Sequence, residues 1–154
     1  MTPPDPAPFD WRARAVALGG FHRPVRVFLV EAEPGTRRLF ARLLEAAGYG
    51  VVEAEDAGQA LEILGDPTVL VHVAVVDAEL NGFPGELLVA HLKQTRPATR
   101  VVVCSGEIGA HAFDTILDAG ADVFLAKPLV RLAALVAAVE LLLARPHVLS
   151  ARSA

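Results

Sequence analysis

The sequence predicts an α/β fold, a doubly wound parallel sheet with helices on both faces. Three observations predict it. Short β-rich apolar runs alternate with segments of helical period, and they do so five times along the chain. The runs in the middle of the chain are apolar at consecutive positions, as strands covered on both faces must be. The length of 154 residues suits one domain with its own core. Right-handed crossovers then give a three-layer sandwich.

The elements follow in order. Residues 1–22 form an N-terminal extension whose prolines at 3, 4, 6 and 8 favour extended backbone, with a short helix from Phe9 to Leu18 stopped by Gly19-Gly20. Val25–Val30 is the first strand, and Pro34-Gly35 breaks the chain after it. Thr36–Ala47 has Leu39, Phe40, Leu43 and Leu44 at helical spacing with arginines between, and Gly48 ends it. Tyr49–Ala54 is the second strand. Asp56 caps a helix that runs to Leu64 and stops at Gly65-Asp66-Pro67. Val71–Asp77 is the third strand, and Gly85–Thr95 the helix after it. Arg100–Ser105 is the fourth strand, followed by a helix over 109–119 that Gly120 stops. Asp122–Ala126 is the fifth strand. Leu129–Ala144 is the last helix, and residues 146–154 are a tail, so the main domain spans 23–145.

Composition narrows the function classes. The chain is 53% hydrophobic and 21% charged, which is globular rather than disordered. A net charge of −4 with no basic run argues against nucleic acid as partner. Cys104 is the sole cysteine, so no internal disulfide can form. The proline-rich start lacks the apolar segment of a secretory signal, and Leu132–Val139 is too short to span a bilayer. A cytoplasmic protein without a membrane partner is expected.

Sites in open parallel sheets form at the carboxyl ends of the strands. Those ends carry Glu31-Ala32-Glu33, Asp77, Ser105 and Lys127. An acid, an aspartate, a hydroxyl and an ammonium therefore converge on one edge. Glu53 and Glu55, after the second strand, fall outside the centre. His22, His72, His91, His111 and His147 lack metal-ligand spacing, and Cys104 reads as a buried structural thiol.

VFLVEAEP, VAVVDAELNGFPGELL, VVVCSGE and AGADVFLAKP resemble, in order, the signature segments of response-regulator receiver domains; the resemblance covers roughly 25–144. It implies a flavodoxin-like sheet in strand order 2-1-3-4-5. It also implies that Asp77 accepts a phosphoryl group from a histidine kinase or phosphotransfer protein. Ser105 matches the switch hydroxyl, Lys127 the lysine that pairs with phosphoryl oxygens, and Phe124 the switch aromatic. Glu31 and Ala32 fall where the family has two acidic ligands to Mg²⁺, with Asp77 and the backbone carbonyl of Glu79 completing the protein's share. The chemistry is coherent, since a carboxylate can attack phosphorus and cations offset charge on the transferring oxygens.

Two departures stand out. Ala32 cannot bind a metal, so Mg²⁺ binding is expected to be weakened. Glu33 is a nearby acid that could substitute for the missing ligand or point away. Asn81 stands where a proline often shapes the loop, though Asn81-Gly82 is itself a good turn pair.

The expected function is a receiver in phosphorelay signalling, not an enzyme, acting by protein contact with no output domain attached. The alternative is a pseudo-receiver, a protein-binding module without the phosphate switch. A dehalogenase-like phosphatase is disfavoured, because its Asp-x-Asp is replaced by Asp77-Ala78-Glu79 and no later acidic pair follows. The last helix offers only Arg131 and Glu140 as charges, so a second buried face is expected. By the family's habit that face would join a homodimer through the fourth helix, fifth strand and fifth helix; the N-terminal extension is the other candidate cover.

Overall fold

The structure is a computed structural model that describes residues 25–106, 110–129 and 131–144. The elements are β1 (Arg26–Val30), α1 (Pro34–Ala46), β2 (Gly50–Ala54), α2 (Ala57–Leu64), β3 (Val73–Asp77), β4 (Glu79–Leu80), β5 (Phe83–Pro84), α3 (Gly85–Thr95), β6 (Arg100–Ser105), α4 (Ala110–Asp118), β7 (Val123–Ala126) and α5 (Ala133–Ala144). The main sheet runs β2-β1-β3-β6-β7 with every pair parallel. This is the predicted order, with β6 and β7 as the fourth and fifth long strands.

Two cores flank the sheet, and the strand period sorts residues between them. Phe28, Val30, Ala74, Val76, Val101 and Val103 face α2, α3 and α4 through Ala60, Leu64, Leu88, Leu92 and Ile116. Their neighbours Val27, Leu29, Val73, Val75, Val102 and Cys104 face α1 and α5 through Phe40, Leu44, Leu135, Val139 and Leu142. Burying each such large apolar side chain contributes roughly 1.5–3 kcal/mol. The middle strand, β3, is buried at every position, which is why its sequence shows no polar alternation before Asp77.

Several boundaries correct the sequence reading. Pro34-Gly35 does not break the chain: Pro34 opens α1, because an N–H is not needed in the first helical turn, and Glu33 caps it. The third strand begins at Val73 rather than Val71. The last helix begins at Ala133, not Leu129; Ala134 and Leu135 donate to carbonyls three residues back, at Arg131 and Leu132, so the chain tightens before the α-helix sets in. The extension and the tail lie outside the described residues.

The sequence also left out a short ribbon after Asp77. There β4 pairs antiparallel with β5 across Asn81-Gly82, and both turn residues have positive φ, 50° and 87°. That is the signature of a tight hairpin turn, for which Asn-Gly is the favoured pair. The Lys127–Pro128 bond is cis.

Candidate functional site

The carboxyl ends of β1, β3 and β6 place Glu31, Asp77 and Ser105 side by side. All are buried, at 1%, 6% and 1% exposure. Register explains the convergence: Val30 pairs with Val76, and Asp77 with Cys104, so each candidate residue stands at or just past its neighbour's last bonded position. Lys127 follows β7, and its N–H donates to the Ser105 carbonyl at 2.7 Å, tying the lysine to the end of β6.

The Lys127 ammonium straddles the Glu31 carboxylate, at 2.7 Å from Oε2 and 3.0 Å from Oε1. It lies 3.5 Å from Asp77 Oδ1. Burial lifts the Glu31 carboxyl above its ordinary range; the Lys127 hydrogen bond pulls against this, and the Asp77 charge adds to it. Burial pulls the Lys127 ammonium down, but the hydrogen bond and charge of Glu31, with the charge of Asp77, hold it above its usual value. Burial pushes the neighbouring Cys104 thiol up to about 12, as befits an inert core residue.

Backbone contacts fix the acids. The Glu79 N–H donates to Asp77 Oδ1 at 3.0 Å, and the Ala78 N–H to the Cys104 carbonyl at 2.9 Å. Gly85, at the start of α3, sits so close beneath that a Cβ there would lie 2.6 Å from the Asp77 carbonyl oxygen. Only glycine allows that approach. Arg37 was not singled out in the sequence. Its guanidinium donates to the Glu31 carbonyl at 2.9 Å and lies 4.0 Å from Glu53, on β2, and 4.0 Å from Glu55, just past it.

Glu33 is occupied elsewhere. Its oxygens accept from the Gly35 and Thr36 N–H groups as the cap of α1. Hydrogen bonds from the Thr36 hydroxyl and from both N–H groups hold its carboxyl down at about 2.

The resemblance to receiver domains implies Mg²⁺, an ion that needs several hard oxygen ligands. The first acid, Glu31, has both oxygens on Lys127, and the second position is Ala32, packed against the α2–α3 core. Among the described residues no three His, Cys, Asp or Glu side chains are grouped to hold a metal. Asp77 and the Glu79 carbonyl are left, so these residues do not fit a tightly held divalent ion.

A cleft of about 230 Å³ opens beside Ser105, between Glu79, Glu86 and Thr115. A larger one, about 490 Å³, lies away from Asp77 along α1 and β2, where Arg37, Arg42 and Glu53 line it. Phe124, half-buried on β7, meets Phe113 of α4 edge-on, with ring centres 5.4 Å apart and planes at 78°.

Comparison with known proteins agrees with this geometry. Residues 27–140 match the response regulator receiver domain family. The chain is 32% identical over 102 residues to a cyclic di-GMP phosphodiesterase of Thermotoga maritima, covering 66% of this chain and 27% of that protein. It is 35% identical over 103 residues to the sensor kinase CckA of Brucella abortus, covering 66% and 11%. The chain therefore spans about a quarter or less of the curated relatives it matches. Among solved structures, a Burkholderia pseudomallei response regulator with a phosphorylated aspartic acid and calcium is 27% identical with a TM-score of 0.68, covering 74% of this chain and 65% of that one. A receiver domain from Methanospirillum hungatei, 24% identical, shares the fold with a TM-score of 0.71, covering 77% and 92%. On the match to its family over most of its length, the chain belongs to the response regulator receiver domains of two-component signalling.

Proposed function

We propose that Asp77 accepts a phosphoryl group from a histidine kinase or phosphotransfer protein, and that the domain, taken as 23–145, passes the signal on by protein contact in the cytoplasm. The observation that carries this is the Lys127 ammonium 3.5 Å from Asp77 Oδ1, at a buried strand end. An Asp77 oxygen attacks the phosphorus of a phosphohistidine. The new O–P bond forms as the P–N bond breaks, and the imidazole nitrogen keeps the electron pair and takes a proton. Lys127 offsets charge on the phosphoryl oxygens. Ser105 donates to the added group, and Phe124 follows the hydroxyl. Ala32 weakens any support from a divalent cation.

Acetyl phosphate followed by intact-mass analysis tests this. One added phosphoryl group on the native chain and none on Asp77→Asn is the expected result. No addition at any Mg²⁺ concentration overturns it. The second reading, a pseudo-receiver that binds partners without phosphorylation, is favoured by Ala32 and by the tie between Glu31 and Lys127. Unmodified Asp77 with intact partner binding is its signature.

For partner contact we propose the face made by α4, β7 and α5, on which Phe113, Leu117 and Leu141 are exposed, with a second copy of the chain as occupant. The expected result is a dimer by light scattering at high micromolar concentration; a monomer there counts against it. No described helix is long and apolar enough to cross a membrane.

A further inference from the structure

We propose that Glu31 is the counter-ion of Lys127 and not a cation ligand, so that the Lys127 ammonium stands in place of the family's divalent ion beside Asp77. Its functional half rests on the reading of Asp77 as acceptor; its structural half does not.

Each acid near the turn is accounted for. Glu31 reaches Lys127 across the pocket with both oxygens, and its carboxylate is almost wholly buried. A divalent ion taking Glu31 would have to strip it from the ammonium. Glu33 cannot stand in, because its two oxygens hold the first N–H groups of α1. Ala32, partly buried against the core that Val30, Ala54 and Ala57 help to build, brings no donor atom at all. Asp77 Oδ1 is held by the Glu79 N–H. The cluster sets two buried carboxyl groups against one ammonium, an excess of one formal negative charge. A second acid at position 32 would add another, and Mg²⁺ sites depend on such ligand count and charge. A phosphoryl group on Asp77 then meets Lys127 directly, and Lys127 can release one Glu31 oxygen to take a phosphoryl oxygen without leaving the other.

The test is a Mg²⁺ titration of the full chain and of Ala32→Asp, followed by ¹H–¹⁵N NMR. The native amides of Glu31, Asp77 and Glu79 are expected to stay unmoved through roughly 10 mM Mg²⁺, as weak sites do. Ala32→Asp is expected to bind about tenfold or more tightly, the range by which a site's supporting groups change metal affinity. A saturable native response in the low millimolar range overturns the proposal, and so does equal affinity in the variant. Should Ala32→Asp fail to fold, the native titration decides alone. A second arm measures phosphorylation of the native chain by acetyl phosphate, which releases acetate, in EDTA and in Mg²⁺. Equal extents support the proposal, and modification with Mg²⁺ alone overturns it. Modification in neither condition sinks the acceptor reading, and the titration still judges the cation claim.

Discussion

At the carboxyl end of the sheet Lys127 meets Glu31, and at the amino end Lys93 of α3 meets Asp122, both at 2.7 Å. The lysines are similarly covered, with side chains 22% and 24% exposed; the acids are not, at 2% for Glu31 and 27% for Asp122. Around Lys93 the bonds close. Its ammonium also donates to the Thr99 carbonyl, and Asp122 Oδ2 also accepts the Val101 N–H, so helix, strand and loop are joined with each charge answered. Around Lys127 they do not close, because Asp77 brings a second buried carboxylate to a single ammonium. A lysine–acid distance therefore says little about role. What sets the carboxyl end apart is a second buried carboxylate beside the pair, an arrangement typical of sites rather than of structural ties.

The largest effect that tests this contrast is Lys127→Met. It leaves Glu31 and Asp77 buried together without their ammonium, and should cost about 3–5 kcal/mol of unfolding free energy at neutral pH, read by urea denaturation. Adding Glu31→Gln to it should restore much of the loss, since the uncompensated charge and not the missing bond dominates. Lys93→Met should cost about 1 kcal/mol, because Asp122 keeps the Val101 N–H and partial solvent. Equal costs for the two lysines would break the comparison.

The two ends also differ in how far they could be read from sequence. Asp77, Ser105 and Lys127 were legible because strand ends in a parallel sheet are where sites form, and the strands show themselves as apolar runs. The order of the strands in the sheet came from the resemblance to receiver domains, since apolar runs give the strands and not their neighbours. The partner of Lys127 was not legible. Glu31 lies 96 residues away, and whether its longer side chain turns toward a cation or a lysine depends on three-dimensional placement. Arg37 was missed because a guanidinium aimed at a backbone carbonyl leaves no residue pattern. The ribbon of β4 and β5 was missed because two-residue strands have no period to detect. Pro34 was misread because proline ends helices and begins them equally well, and only the cap at Glu33 tells which.

The smallest effect concerns Glu33, two residues from Glu31 and opposite in behaviour. Acid unfolding of this chain sums over several carboxylates, so the contribution of the Lys127 pair can be isolated only once Glu33 is set apart. Its folded carboxyl, held by the cap, titrates near 2 against an ordinary 4.5. A depressed folded value means that the unfolded chain binds the proton first, so the cap's contribution is present above 4.5 and fades as pH falls toward about 2. Glu31 has the opposite sign. Its folded value is raised, so its own titration favours the folded state below 4.5 and loses that contribution as pH rises through the raised value. Glu33→Gln should therefore flatten the fall in stability between pH 4.5 and about 2, read by denaturation at stepped pH, and leave the neutral range with only the change in cap strength. If the acid fall stays as steep, Glu33 is not the acid that α1 depends on. The carboxylates would then have to be reassigned between the helix cap and the pocket of Glu31, Asp77 and Lys127.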